Sequence, residues 1–339
     1  MIVERTLLQE RLISIIRRFP QRKVLVVGDS VADQFVYGAI SRVSREAPVF
    51  ILRHEHTETT PGGAANCAMN LASLGAAVGL VSVAGEDEAG RALTEKLQSA
   101  RVDCSGLIAS PSLQTTTKVR ILAGQAHSTR QQVIRIDYEG QALSDFRLRR
   151  SLQEQVDKQA SAADAVIISD YNYGVVNADI VSTIRETASV RGIPVLVDSR
   201  FQLSDYTGFT SATPNEEEVE TLLGKPLAKG ELNSAGQEIR DRLGYRALLI
   251  TSGGRGMTLL EQGVEPLHID AVGAREPVDG TGAGDTVIAT YTLALASDAS
   301  FPDAARLANY AGGLVVMKRG TASITSQELE HSVLHSELT

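Results

Sequence analysis

Apolar positions along the chain fall into two rhythms. Between residues 7 and 19, Leu8, Leu12, Ile15, Ile16 and Phe19 recur at helical spacing with charged residues between them, predicting an amphipathic helix that Pro20 ends. Elsewhere the apolar residues gather in short unbroken runs: Lys23-Val-Leu-Val-Val-Gly-Asp29, Val78–Val83, Ala165–Ser169, Pro194–Asp198 and Ala247–Thr251. Helical patterns over 64–74, 90–100, 178–191 and 216–223 alternate with these runs. Strands bare of polar residues and separated by helices predict an α/β protein whose mainly parallel sheet is covered on both faces.

Two segments break that rhythm. Residues 34–55 contain Phe35-Val-Tyr37 and Val49–Arg53, and residues 115–137 contain Thr117–Leu122 and Gln132–Asp137. Both segments show β-branched residues and rough period-two alternation with no helix between the runs, which predicts one small antiparallel sheet projecting from the main body. Such a sheet leaves an apolar face for a substrate, a second subunit or both to cover.

Composition narrows the class. The 339 residues are enough for one large α/β domain or two smaller ones; 43% are hydrophobic and 22% charged, as in ordinary globular chains. A net charge of −8 argues against general nucleic-acid binding, while leaving room for a small anionic ligand beside local arginines. No apolar run reaches the length needed to cross a bilayer, and the N-terminus lacks the pattern of a secretion signal. The two cysteines, Cys67 and Cys104, make neither a disulfide framework nor a metal spacing, so a cytoplasmic protein is expected.

The candidate chemistry lies mainly in loops after strands. Pro277-Val-Asp-Gly-Thr-Gly-Ala-Gly-Asp285 leads straight into the apolar run 286–296. Gly282, Ala283 and Gly284 can aim backbone N–H groups at one point, where the helix dipole adds positive character, as suits a phosphate. Asp285 would repel a resting phosphate; a base taking a proton from an attacking hydroxyl explains it, and an ordinary acidic first turn is the alternative. Strand 24–27 ends in Gly28-Asp29-Ser30 with Asp33 just beyond, an acid able to bind two sugar hydroxyls or simply to cap a turn. In Pro61-Gly-Gly-Ala-Ala-Asn66, Gly62 and Gly63 allow close backbone approach and the Asn66 amide fits a polyol; a turn before a helix with a solvated Asn66 would look the same. Thr251-Ser-Gly-Gly-Arg-Gly256 offers glycines against which a nucleotide can lie, though many hairpins look alike. Asn215 and Glu218 share a helical face and could orient water around Mg²⁺, or complement the dipole of a helix start.

Taken together and in this order, these elements resemble the PfkB/ribokinase family of sugar kinases over roughly residues 22–330. The first family signature is met by Gly62, Gly63, Asn66, Gly75 and Gly85, and the second by Asp279–Asp285, with Gly280 departing from the usual residue so that a more mobile loop is expected. The nucleotide elements are met by Thr251, Gly253 and Gly256, and by Asn215 and Glu218. An NAD-binding Rossmann reading fails, because Gly-Asp-Ser rather than a glycine triplet follows the first strand. The resemblance implies a single ribokinase-like domain over 1–339, three layers α/β/α, with a β-lid at 34–55 and 115–137 that doubles as a homodimer interface in many members. It implies Asp285 as catalytic base, the 282–284 amides as the hole for the transferred phosphoryl group, and Asp33, Gly62, Gly63 and Asn66 as sugar contacts. It implies ATP contacts at Asn215, Thr251, Gly253, Gly256 and Asn309, with ATP and Mg²⁺ required and Glu218 reaching the metal through water.

Several stretches resemble the bacterial heptose-7-phosphate kinases of lipopolysaccharide synthesis more than ribokinase itself, among them 36–48, Thr129–Asp137, Ile168–Tyr171, 284–289 and 315–322. A phosphorylated acceptor needs cations at the lid, and Arg42, Lys118, Arg120, Arg130 and Arg135 are candidates, Arg120 and Arg130 foremost. The chain departs from that subgroup at Ser30-Val-Ala-Asp33, at Asp170-Tyr-Asn-Tyr-Gly174, which lacks a lysine, and at Asp198-Ser-Arg200. The nucleotidyltransferase domain fused to some relatives is expected to be absent. A kinase for a hexose phosphate, ribose or nucleoside, and a non-catalytic sugar or nucleotide sensor, are the competing readings.

Overall fold

A computed structural model describes residues 2–124, 130–140, 143–273 and 277–335 of the chain. Thr129 and the rest of 125–129 in the second lid segment lie outside the described residues. The first half runs α1 (Ile2–Ile16), β1 (Lys23–Gly28), β2 (Ser30–Val43), β3 (Phe50–Gly63), α2 (Ala64–Ser73), β4 (Ala77–Gly85), α3 (Glu88–Ser99), β5 (Asp103–Ser110), β6 (Thr117–Gly124) and β7 (Gln131–Tyr138). Next come α4 (Phe146–Ala160), β8 (Ala165–Asp170), α5 (Ala178–Arg191), β9 (Val195–Ser199), β10 (Ser211–Ala212), α6 (Glu216–Leu223) and α7 (Leu232–Leu243). The remainder is β11 (Ala247–Thr251), β12 (Met257–Glu261), β13 (Leu267–Ile269), α8 (Ala283–Ala296), α9 (Phe301–Val315) and α10 (Ser326–His335).

The unbroken apolar runs become the centre of a nine-stranded sheet ordered β13-β12-β11-β10-β9-β8-β1-β4-β5. The seven strands β11, β10, β9, β8, β1, β4 and β5 pair in parallel, while β12 and β13 add an antiparallel edge. Alternate residues of each strand feed the two covering layers, which explains why the runs carry no polar positions. Val24, Val26 and Ile167 pack with α1, α2, α8, α9 and α10, whereas Leu25, Val27 and Ile168 pack with α4, α5 and α7. Helix α8 lies in the first layer and is buried almost all round, in keeping with its continuous apolar sequence.

The lid is a second, four-stranded sheet ordered β3-β2-β6-β7. Its two hairpins, β2/β3 and β6/β7, are antiparallel as expected, but the seam joining them, β2/β6, is parallel. The long connection through α2, β4, α3 and β5 returns the chain to the same end of the sheet, and that makes a parallel seam possible. Both hairpins outrun the expected strands: β2 starts at Ser30 and β3 continues to Gly63, so the lid grows directly out of the end of β1 and ends where α2 begins. Period-two alternation separates the faces. Asp33, Phe35, Tyr37, Glu58, Thr60, Lys118, Arg120 and Gln132 look inward over the main sheet. The opposite face carries Val119 and Ile121 beside their cross-strand partners Ile136 and Ile134, with Tyr138 next along β7.

Candidate active site

Ligands of open parallel sheets bind beyond the carboxyl ends of the strands. There, β1, β8 and the start of α8 converge beneath the lid. Helix α8 follows Gly282, whose φ of 76° is left-handed and whose added Cβ would lie 2.5 Å from Asn66 Nδ2; only glycine fits both demands. Ala283's amide closes a turn onto the Gly280 carbonyl at 3.2 Å, and Thr286's onto that of Gly282 at 3.2 Å. The amides of Gly282, Gly284 and Asp285 have no acceptor among the described residues. Unengaged N–H groups at a helix start make an anion site. Of the three amides expected there, Ala283's is engaged by the Gly280 carbonyl, while those of Gly282 and Gly284 are left without one.

Asp285 is only 5% exposed, yet it lines a cavity of about 200 Å³. Its Oδ2 accepts from Asn66 Nδ2 at 2.7 Å and its Oδ1 from Tyr171 Oη at 2.9 Å. Burial pushes its carboxyl up to about 6, against the pull of those two donors. Asn70 donates to the Asn66 carbonyl at 3.0 Å, and Thr286 Oγ1 donates to Asn70 Oδ1 at 2.9 Å, so the first turns of α2 and α8 are laced together behind the carboxylate.

The same cavity is lined by Asp33, Gly63, Lys118, Arg120, Arg200 and Thr321. Asp33 is buried and ion-paired to Arg120. Gly62 packs its backbone against that carboxylate, where an added Cβ would come within 2.4 Å of Asp33 Oδ2. Lys118, the register partner of Asp33 on β6, is half-buried, with its ammonium 5.5 Å from the Tyr171 ring centroid; burial lowers its pKa. Arg120, Thr281 and Thr321 also line a second, outer chamber of about 610 Å³, together with Tyr37, Glu58, Arg130, Gln132 and Arg319. Arg130 is ion-paired to Glu55 at its rim. Of the other cationic candidates, Arg42 is exposed at the far end of β2, and Arg135 pairs with Asp137 at 2.9 Å.

Two loops close the floor. Asp279 accepts from the Thr281 and Gly320 amides at 2.9 Å each, pinning the glycine turn that a free Gly280 would leave loose. Thr321 Oγ1 donates to Thr60 Oγ1 at 2.6 Å, tying the same loop to lid strand β3. Asp29, the other acid after β1, faces away from the cavity's chemistry. Its carboxylate accepts the amides of Tyr171, Tyr173 and Val175 at 2.9, 3.0 and 3.0 Å, which is the capping alternative.

The residues matched to nucleotide contacts form a neighbouring ledge at the ends of β10 and β11. Asn215 bridges to Thr251, and the turn Gly253–Arg255 leads to Gly256. Asn215 and Glu218 form a reciprocal capping box at the start of α6, each side chain 2.9 Å from the other's amide, so the helix itself engages both. Asn309 is buried in α9 and donates to the Asp270 carbonyl at 2.7 Å, fixing the segment after β13. Tyr171, Thr321 and Arg319 were not singled out from sequence. The hydrogen-bond partners of Tyr171 and Thr321 lie more than a hundred residues away; the stretches Ile168–Tyr171 and 315–322 and the departure at 170–174 marked only the loops that carry them.

Known proteins resemble this chain in both sequence and fold. A model of the pfkB family of carbohydrate kinases matches residues 21–328. The "Bifunctional protein HldE" of Pseudomonas aeruginosa strain UCBPP-PA14 is 42% identical over 317 residues, and that of Pectobacterium atrosepticum is 41% identical, each covering 93% of this chain. The chain spans 64% of the length of these relatives. Among solved structures, Arabidopsis thaliana ribokinase complexed with ribose and ATP superposes with a TM-score of 0.72 at 22% identity, covering 93% of this chain and 99% of its own. Escherichia coli phosphofructokinase-2 in complex with substrates and products gives 0.77 at 21% identity, over 93% and 99%. The fold is therefore ribokinase-like.

Proposed function

Because the chain belongs to the pfkB family of carbohydrate kinases, we propose that it transfers the γ-phosphoryl group of ATP to a hydroxyl of a sugar or sugar phosphate. D-glycero-beta-D-manno-heptose 7-phosphate is the acceptor we favour. One observation carries the reading: a buried carboxylate at the mouth of α8 shares a cavity with free helix-start amides and with Asp33. Asp285 takes the proton as the acceptor hydroxyl attacks in line, and Asp33 with Asn66 orients the acceptor. The amides of Gly282, Gly284 and Asp285 hold the charge spread over the transferred group, each donor contributing on the order of 3 kcal/mol to the transition state. The ledge of Asn215, Thr251, Gly253 and Gly256, with Asn309 behind it, receives the nucleotide. No cluster of three or more metal-ligating side chains occurs among the described residues. That fits Mg²⁺, which keeps its waters and is held by substrate phosphates, with Glu218 reaching it through water. The metal would supply charge neutralisation at the phosphates.

The outer chamber supports a phosphorylated acceptor, since Arg120, Arg130 and Arg319 line it and guanidinium groups grip phosphate bidentately. The lid supports a homodimer: Ile134, Ile136 and Tyr138 on its outer face are 52%, 39% and 47% exposed, an apolar strip that a second copy would cover. Two free cysteines and a need for ATP favour a cytoplasmic location. The test is an acceptor panel with coupled ADP detection. ADP release with the heptose phosphate, above that with hexose phosphates, ribose and nucleosides, is expected. Turnover confined to another acceptor reassigns the substrate, and ligand-induced stabilisation with no turnover on any acceptor indicates a sensor instead.

A further inference from the structure

We propose that Tyr171 is a positioning residue for the base, its hydroxyl holding the Asp285 carboxylate ionised and in one orientation. The inference deepens the kinase reading and rests on it, yet its first readout does not require turnover. Helix α8 fixes only the Asp285 main chain; the carboxylate plane is set by two donors from different parts of the fold. Asn66 on α2 takes Oδ2 at 2.7 Å, and Tyr171, on the loop after β8, takes Oδ1 at 2.9 Å. With one donor gone, the group would turn about its last bond and the proton acceptor would leave the line of attack.

The fold invests heavily in placing that hydroxyl. Tyr171's amide donates to Asp29 Oδ2 at 2.9 Å. The next residue, Asn172, adopts a left-handed φ of 64° and donates its amide to Asp170 Oδ1 at 2.9 Å. Asp170 Oδ2 in turn accepts from Ser199 Oγ and Tyr206 Oη, both at 2.8 Å. Two buried acids that touch no reacting atom, Asp29 and Asp170, thereby hold the loop. The ring rests beside Gly63, where an added Cβ would come within 3.4 Å of Tyr171 Cδ2, and carries the Lys118 ammonium on its other approach. A phenylalanine would satisfy all this packing. The hydroxyl meets Asp285 alone among the described residues.

The electrostatics run the same way. Burial favours the protonated carboxyl and the charge of Asp33 on β2 adds to that tendency; Asp198 on β9 and the Cys67 thiol on α2 also face it, and burial holds both well above their ordinary ranges. Against them stand Asn66, Tyr171 and the Lys118 ammonium on β6. Removing Tyr171's hydrogen bond takes away a donor to the ionised form, so the Asp285 midpoint must rise.

The experiment compares the full-length protein with Tyr171→Phe, following the ¹³Cγ aspartate resonance that disappears in Asp285→Asn. The midpoint is expected to rise by roughly one pH unit in Tyr171→Phe, and 3-fluorotyrosine placed at 171, a more acidic donor, is expected to lower it. Tyr173→Phe, which alters a neighbour with no bond to Asp285, is expected to leave it unmoved. With an active acceptor, Tyr171→Phe lowers kcat about tenfold, moves the acid limb of the rate profile upward, and leaves KM for ATP unchanged. A midpoint equal to that of the unmodified protein in Tyr171→Phe, or one that follows Tyr173→Phe equally, overturns the proposal. Absence of turnover on every acceptor overturns the kinase reading and leaves the resonance test standing.

Discussion

As the proposed base, Asp285 sits where two requirements pull apart. Taking a proton calls for an ionised group open to substrate, whereas helping to exclude water calls for burial. Its two side-chain donors reconcile them incompletely, leaving the carboxyl near about 6, so kcat/KM should fall as pH drops below that value, as a rate profile will show. Replacing it in Asp285→Asn should lower turnover by about 10² to 10⁴ while ATP binding by calorimetry persists. The same group shapes stability. Its folded pKa lies above the usual ~3.9 of an unfolded aspartate, so its contribution is full below pH ~4 and is lost as pH rises through about 6. Asp285→Asn removes that loss, and its melting temperature should gain on that of the unmodified protein between pH 4 and 7. Parallel melting curves across that window would show that the carboxyl titrates normally.

At the scale of elements, the site is a set of turns pinned by carboxylates. Gly282 carries both a left-handed φ and a contact that admits no Cβ, so Gly282→Ala should displace Asn66 from Asp285 and cut kcat by at least about tenfold. A variant with unaltered kcat would mean that the turn relaxes without moving the amides. Much at this scale was legible in advance. The 178–191 and 216–223 patterns carry their own caps and match α5 and α6 at both ends. The glycine-rich turn before α8 announces itself because glycine alone meets such backbone demands. Helices α4 and α7 were less legible, being rich in charged and amide side chains that blur the apolar stripe. The parallel seam of the lid was also out of reach, since strand direction depends on where a long connection returns and not on alternation within either strand. So was Tyr171, whose partner is 114 residues distant and whose own neighbourhood reads as a polar loop.

For the whole molecule, the lid's two faces divide the labour. The inner face supplies the cavity, and the outer face presents Ile134, Ile136 and Tyr138 to solvent. If those residues meet a second copy, Ile134→Lys should convert a dimer to a monomer in light scattering without lowering the melting temperature of the isolated fold; a monomeric unmodified protein would remove the interface. The loop at 316–321 has a different kind of reach. Through Gly320 and Thr321 it fastens the Asp279 turn to strand β3, so a segment near the end of the chain completes a pocket begun by Asp33 near its start. During synthesis, then, the strands of the central sheet have all left the ribosome before the last piece of the pocket emerges. A nascent chain halted ahead of residue 316 can hold much of its sheet and still lack the clasp that joins the Asp279 turn to β3.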